Sequence, residues 1–354
     1  MKQNTAIVCL SSNSGGMEID SINLAKKLSK YTNITLIAKK EKFIAKEVSK
    51  LQTKEKIHLE TISFKSSMSL SILFNARKII QEQKIKNVIF FGASELKSLY
   101  FAFLGLNINL IVRHGTTKSR PKKDWFHSLI YSKVNYHISI CKHLQKNVDY
   151  IIPFGKNTQS KLIYSSFNFE APKALKNKKL ILVHVGRIAP AKGQIDAIKA
   201  CQILIDHNID FEFNIVGGFE ESYEKEFMEF YENCSYKNKI NLIGFTDNVK
   251  FYLENADIFL FPSYGEGLSN AFLEALSYNL ISLSYNNTSF PELMELGIYF
   301  KMVENLNIEQ LSSTLLETTK SLNRERVKCI KNYDLIKNLF SLQKEMEEYL
   351  KILE

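Results

Sequence analysis

Cysteine is sparse and unpaired in this chain of 354 residues: Cys9, Cys141, Cys201, Cys234 and Cys329 are odd in number, far apart and never spaced C-x-x-C. That pattern argues against a disulfide framework or a structural zinc site and fits reduced thiols. No window approaches the roughly 18 uninterrupted apolar residues of a membrane-spanning helix. MKQNTAIVCL runs straight into a strand-like stretch without a signal core or small-residue cleavage site, so the expectation is a cytoplasmic protein without a transmembrane span. The chain also lacks a D-x-D metal motif, a G-x-G-x-x-G fingerprint, a P-loop, a short repeat and a low-complexity tract. No zinc finger, RNP-like aromatic pattern or compact basic helix argues for nucleic acid.

What the chain has in excess is positive charge on one side. Residues 1–168 hold 27 Lys and Arg against 10 Asp and Glu, a net of +17, whereas residues 169–354 carry −7, which together give the total of +10. A solvated coat of lysines explains this, and so does attraction to an anionic membrane surface or a phosphorylated acceptor. Apolar residues at 45% and charged residues at 24% are ordinary for a globular protein, and the length favours two cores over one.

Short apolar strands alternate with helical periods along the chain. Thr5–Leu10 reads as a buried strand, Ser11–Gly16 as a flexible loop and Met17–Leu28 as a helix. Gly15 and Gly16 let the backbone approach a ligand at that strand-to-helix corner, although a plain tight turn fits equally. Strands at Ile34–Ala38, Val88–Phe91, Ile108–Val112 and Tyr136–Ile140 follow, with helices at Leu70–Gln83, Glu95–Leu104 and Trp125–Val134. Such alternation predicts a parallel α/β sheet with helices on both faces. The strand Ile108–Val112 runs into Arg113, His114 and Gly115, and His114 is a polar candidate at a strand's carboxyl end. A basic loop containing Lys118, Arg120, Lys122 and Lys123 comes next. The polar stretch Asn168–Lys179 reads as a linker. A second alternation follows, with strands at Leu180–Val185, Phe211–Val216 and Ile240–Ile243 and helices at Ile195–Ile205, Glu224–Tyr231 and Val249–Asn255, and Leu335–Leu353 reads as one final amphipathic helix. The expected domains are therefore 1–168, 169–334 and a C-terminal helical segment, 335–354, that packs back on the first domain.

The most informative stretch is DIFLFPSYGEGLSNAFLEALSYNLISLSYNNTSFP, Asp257–Pro291. Ile258–Phe261 reads as a strand buried on both faces, Gly265-Glu266-Gly267 as a turn, and Leu268, Ala271, Phe272, Ala275 and Leu276 as the apolar face of a helix. A strand at Leu280–Leu283 completes a βαβ unit. Open parallel sheets bind ligands at the carboxyl ends of their strands, where Glu266 sits. Glu274, eight residues on and expected two turns into the helix, offers a second carboxylate beside a helix N-terminus suited to an anion. A solvated turn residue and an ordinary helix former satisfy the same spacing. Upstream, Gly186-Arg187 and Lys192-Gly193 follow the strand Leu180–Val185, where a planar guanidinium and a point-charge ammonium can converge on one diphosphate, although a solvated loop would look the same.

G-R-x4-K-G together with PSYGEGLSNAFLEAL resembles the signature of retaining GT-B glycosyltransferases, the large bacterial E-x7-E group that moves a sugar from a nucleotide diphosphate. The resemblance covers nearly the whole chain, most firmly residues 180–296. It implies two Rossmann-like, doubly wound domains facing across a cleft, and a metal-independent transfer with anomeric retention. By it, Gly15 and Gly16 lie near the donor phosphates, Gly186, Arg187 and Lys192 hold the diphosphate, Glu274 takes the ribose hydroxyls, and Glu266 faces the donor sugar beside Gly267, Leu268 and Ser269. Gly244, Phe245 and Thr246 resemble the segment over the base, His114 the polar residue near the sugar, and Glu292 a further acidic position. Two departures stand out: Asn279-Leu280 where the family usually has Gly-Pro, and Thr288-Ser289-Phe290-Pro291 where it has Gly-Gly shortly before Glu292.

The expected function is transfer from a nucleotide-sugar, with a UDP-sugar favoured, to an acceptor hydroxyl in bacterial surface glycan or lipopolysaccharide synthesis. No cofactor or metal is expected. The partners would be a lipid-linked or phosphorylated acceptor and the inner face of the cytoplasmic membrane, met through Lys118, Arg120, Lys122 and Lys123. Two alternatives are an epimerase or hydrolase of the same fold, which would consume donor without acceptor, and a non-catalytic subunit that binds nucleotide-sugar or glycan.

Overall fold

The computed structural model describes residues 3–51, 56–92, 94–167, 169 and 179–354. Of the stretch read as a linker, residues 168 and 170–178 lie outside the described residues. The chain divides into two compact units, Met1–Ser166 with Leu342–Glu354, and Phe167–Ser341.

Unit 1 is built on a parallel sheet of β1 (Asn4–Cys9), β2 (Asn33–Lys39), β3 (Ile57–Ile62), β4 (Asn87–Phe91), β5 (Asn109–His114), β6 (Tyr136–Ser139) and β7 (Gln159–Leu162). Their order is β3-β2-β1-β4-β5-β6-β7. Helices α1 (Gly16–Leu28), α2 (Phe43–Leu51), α3 (Leu70–Glu82), α4 (Leu96–Ala102), α5 (Trp125–Tyr131) and α6 (Lys142–Ile151) connect them. Strands such as β1 and β4 are buried along almost their whole length, which is why they read as continuous apolar runs. The edge strands β3 and β7 alternate or stay half-exposed, and neither was legible as a strand.

Unit 2 repeats the plan with β8 (Leu180–Val185), β9 (Phe211–Val216), β10 (Ile240–Gly244), β11 (Ile258–Phe261), β12 (Ile281–Tyr285) and β13 (Lys301–Val303), in the order β10-β9-β8-β11-β12-β13. Its helices are α7 (Gln194–Asp206), α8 (Glu224–Glu232), α9 (Val249–Glu254), α10 (Asn270–Ser277), α11 (Phe290–Glu295), α12 (Ile308–Lys320), α13 (Leu322–Cys329) and α14 (Asn332–Leu339). Both sheets reverse their strand order once, between β1 and β4 and between β8 and β11. At such a switch point the two flanking loops diverge to opposite faces and leave a crevice at the carboxyl ends.

The single helix expected over Leu335–Leu353 is two helices. The first is α14; the second, α15 (Leu342–Leu353), belongs to unit 1. Each half buries its apolar stripe in a different core: Ile336 lies in unit 2, while Met346, Tyr349, Ile352 and Leu353 join the unit 1 cluster with Ile7 and Ile111. A continuous period in the sequence therefore hides a change of partner. The α15 attachment is polar as well as apolar. Arg113 donates to Tyr349 Oη (2.6 Å), to both Asp20 oxygens (2.8 and 3.0 Å) and to Ser165 Oγ (2.8 Å). Glu345 accepts from Lys27 (2.8 Å) and from the Ser166 hydroxyl (2.6 Å). Burial opposes the Arg113 charge, but Asp20 more than offsets it and holds the guanidinium pKa above its ordinary value. No helix among the described residues is long and apolar enough to cross a membrane.

Candidate functional site

In unit 2 the loops after β8 and β11 flank the switch point and are laced together. The Ala191 carbonyl accepts the Tyr264 amide (2.9 Å), and Ser263 Oγ lies within hydrogen-bond distance of that carbonyl (3.0 Å) and of Glu266 Oε1 (2.8 Å). Gly193 has φ +70°, and a Cβ there would meet the Pro262 carbonyl oxygen at 1.9 Å, so only glycine allows this approach. The strands β8, β9 and β10 end in Gly186, Gly217 and Gly244. A Cβ at Gly217 would strike the Gly186 carbonyl oxygen at 2.1 Å, which leaves a floor of bare backbone beside the crevice.

Lys192 Nζ and Glu266 Oε1 are 2.6 Å apart, and both side chains are partly sheltered, 31% and 12% exposed. Residues 74 positions apart are thus joined at one point, and the Lys192 ammonium keeps donors free for a further anion. The Glu266 amide donates to Thr288 Oγ1 (2.9 Å), which brings the loop after β12 into the same cluster. Arg187 points elsewhere: it is exposed, and its nearest ion-pair contact is Glu220 at 3.9 Å. Arg187 and Lys192 therefore share a loop without converging in this structure. Phe245, 81% exposed, stands over Gly218 with its Cβ 3.7 Å from that residue's ideal Cβ position, a bare aromatic surface at the end of β10.

Helix α10 begins later than the apolar period suggested. Ser269 is its N-cap and accepts the Phe272 amide (3.3 Å), so Gly267 and Leu268 lie in the loop and Glu274 is only a little over one turn in. Glu274 is half-buried, and its carboxylate has no hydrogen-bond or ion-pair partner among the described residues. Burial pushes its pKa up from the ordinary value, and the nearby Tyr278 hydroxyl is raised chiefly by its own burial, then by Glu274. Glu292 is buried in the first turn of α11.

Both departures from the family pattern are explained by backbone. Asn279 has φ +56° just past the end of α10, where glycine is usual and asparagine is the next best fit. Thr288 has φ +44°, an uncommon conformation for a β-branched residue, in the place of a glycine. Its hydroxyl is what that position gains. His184 was missed in the sequence, and Thr288 stood out there only as a departure from the family pattern. His184 is a polar residue inside the apolar run LILVHV; its Nε2–H donates to the Lys192 carbonyl (3.0 Å), its ring lies 4.9 Å from that of Phe261, and burial holds its pKa down at about 4. The interruption of an apolar strand by histidine was the available signal.

In unit 1, a crevice of about 460 Å³ opens at the carboxyl ends of β1, β4 and β5. Ser11, Lys39, Glu95, His114 and Lys118 are among its lining. His114 is buried with Nε2 2.8 Å from His137 Nδ1, and desolvation holds it neutral, well below the ordinary histidine range. Burial, with Lys122 nearby, brings the Lys118 pKa down to about 8. Gly15 caps α1 without a side-chain hydrogen bond, and a Cβ there would lie 3.2 Å from Glu18 Oε2, so a carboxyl group sits beside that helix start.

Residues 166–334 match the family described as Glycosyl transferases group 1. The chain is 25% identical over 276 residues to the capsular polysaccharide biosynthesis glycosyltransferase CapH of Staphylococcus aureus, covering 74% of this chain and 76% of that protein. It is 24% identical over 285 residues to the GalNAc-alpha-(1->4)-GalNAc-alpha-(1->3)-diNAcBac-PP-undecaprenol alpha-1,4-N-acetyl-D-galactosaminyltransferase of Campylobacter jejuni, covering 78% of this chain and 77% of that one. Among solved structures, Anabaena Alr3699/HepE in complex with UDP superposes with a TM-score of 0.83 at 14% identity over 99% of both chains. The same protein has also been solved in complex with UDP-glucose. Two doubly wound parallel units in one chain, at that likeness, are the GT-B fold.

Proposed function

From the match of residues 166–334 to the Glycosyl transferases group 1 family, we propose that this chain transfers a sugar from a nucleoside diphosphate sugar to an acceptor hydroxyl in bacterial surface polysaccharide synthesis. The observation that carries the reading is Glu274: a half-buried carboxylate without a protein partner among the described residues, raised in pKa, on the helix that follows the switch-point loop. Such a group is costly to keep unless something with hydroxyls binds it, and a ribose diol satisfies both of its oxygens. Phe245 offers a face to the base. Lys192 and the free amides at the start of α10 supply positive charge for the diphosphate, Arg187 joins them by turning in from Glu220 when the donor binds, and Glu266, fixed by Lys192 and Thr288, is set to orient the donor sugar.

In the reaction the anomeric carbon–oxygen bond to the diphosphate breaks, a new bond to the acceptor oxygen forms, and the acceptor proton leaves with the diphosphate. Charge grows on the departing phosphate oxygens, so fixed cations there stabilise the transition state more than the ground state and take the part a metal ion plays elsewhere. Retention of configuration, independence of metal and a UDP-sugar donor belong to this proposal; the UDP-glucose complex of the Anabaena neighbour supports the donor class. The acceptor is a lipid-linked or phosphorylated glycan at the inner face of the cytoplasmic membrane, a choice supported by the undecaprenol-linked substrate named for the Campylobacter relative.

A thermal-shift screen of UDP-, GDP- and ADP-sugars tests the reading, because a ligand of the native state raises apparent stability. A UDP-sugar that shifts the parent and fails to shift Glu274→Ala supports it. Equal shifts in both proteins would refute the role given to Glu274. Consumption of donor without acceptor would favour an epimerase or hydrolase.

A further inference from the structure

We propose that the face of unit 1 formed by α3, α4 and α5 is a membrane-docking surface whose apolar side chains enter an anionic lipid layer. Helix α3 packs on α4 and α4 on α5, and Arg77 ties the first pair by donating to the carbonyls of Ala102 (2.9 Å) and Leu104 (2.8 Å). The core is served by one side of these helices, through Ile72, Ala76, Leu99 and Ile130. A second apolar set faces solvent. Leu70 and Phe74 lie four residues apart on α3 and are 67% and 63% exposed; Trp125 and Leu129 lie four apart on α5, with Trp125 78% exposed; Phe101 and Leu104 are exposed at the end of α4. Residues at i and i+4 share a helix face, so these are paired projections and not scattered exposures.

The charge beside this set selects the occupant. Lys97 stands 5.7 Å from the ring of Phe126, next to Trp125, and Lys123 stands 5.4 Å from that of Tyr150. Among the described residues none of Lys97, Lys118, Arg120, Lys122 and Lys123 has an ion-pair partner. Asp124 is engaged as the N-cap of α5, accepting the His127 amide. Burial and then Lys97 lower the pKa of Lys122, which places those two cations in one field. An apolar centre with an uncompensated basic border complements a bilayer, which is apolar within and anionic at its surface. A second copy of the chain meeting this face with its own would bring two basic borders together. The face also adjoins the unit 1 crevice: Ser67 and Lys118 line that crevice, and Met68 and Leu70 continue from the first. An acceptor held in the membrane by a lipid would present its head group at the crevice mouth.

Trp125 is the only tryptophan in the sequence, so its fluorescence reports this face alone. The full chain is titrated at low salt with vesicles of phosphatidylglycerol and phosphatidylcholine in equal parts, and with phosphatidylcholine alone. A blue shift on the anionic vesicles, quenching by lipids brominated in their acyl chains, and loss of binding as salt rises are expected. Phe74→Ser with Leu129→Ser, both at exposed positions, is expected to weaken binding about tenfold or more with an unchanged melting temperature. Sedimentation with vesicles without blue shift or quenching would reduce the contact to charge adhesion and overturn the insertion. A blue shift that grows with protein concentration without lipid would overturn it in favour of an interface between copies, and absence of binding at low salt would overturn it outright. Neither donor nor acceptor is present in this assay, so its failure is separate from failure of the transfer reading.

Discussion

Thr288 Oγ1 accepts the backbone amide of Glu266 at 2.9 Å and donates onward to Asn287 Oδ1 at 3.0 Å. The threonine does this from φ +44°, a conformation a β-branched residue adopts only when its surroundings hold it there. A Cβ added at Gly265 would lie 3.2 Å from Thr288 Cγ2, so the two loops meet closely. The strain and the hydrogen bond are coupled: the backbone cost at Thr288 places a hydroxyl where it fixes the carboxylate-bearing loop.

Thr288→Val keeps the shape and the strain but removes the acceptor. It is expected to cost about 1 kcal/mol of stability and to lower kcat about fivefold with little change in donor KM, whereas Thr288→Ser stays near the parent. Steady-state kinetics and urea denaturation of the two variants check this; equal behaviour of Val and Ser would show that the hydroxyl is idle.

Lys192→Ala and Arg187→Ala should differ from a simple binding loss. If their charges act on the leaving diphosphate, kcat falls on the order of a hundredfold while the donor dissociation constant moves far less. Calorimetry beside turnover measurements separates the two; a fall in affinity with kcat intact assigns both residues to binding alone.

Glu274 carries a pH signature. Its folded pKa lies above the unfolded one, so the folded state binds the proton more readily, and stability is lost as pH rises through the carboxylate range. Glu274→Gln should therefore melt higher than the parent at neutral pH, with the gain vanishing below about pH 4, and should bind the UDP-sugar about tenfold more weakly or worse. A variant that is less stable at neutral pH contradicts the assignment.

His184 works in the opposite direction. Its folded pKa of about 4 lies below the ordinary 6.5, so the unfolded chain takes up the proton first and stability falls as pH drops through that interval. His184→Gln keeps a donor for the Lys192 carbonyl and removes the titration. Urea denaturation is expected to show a smaller loss between neutral and acid pH in the variant than in the parent, the remaining loss coming from groups such as His114 and His137.

Asn279→Ala tests the end of α10. Alanine in the left-handed region costs roughly 1–2 kcal/mol more than in ordinary backbone, so a destabilisation of about 1 kcal/mol is expected, and Asn279→Gly should be at least as stable as the parent. Denaturant midpoints at constant slope measure it.

Much of this protein was determined by local sequence. Runs such as IFLF at Ile258–Phe261 are buried on both faces and so carry their strand signal without context, and the alternation of such runs with helical periods is sufficient for two doubly wound units. The glycines and charges of Gly186–Gly193 and the pair Glu266 and Glu274 stood out because their chemistry is carried by residue type at short spacing. What tertiary structure decided is everything that depends on a partner far along the chain. The edge strands β3 and β7 gain their pairing from neighbours and lack an apolar run of their own. The period across Leu335–Leu353 is unbroken in sequence, yet Ile336 and Tyr349 are buried in different cores. Lys192 meets Glu266 across 74 residues, and Thr288 supports Glu266 across 22, at a distance no spacing rule encodes. A helix or strand period reports which side of an element is apolar; only the packed chain selects which other element that side, or a buried hydroxyl, will meet.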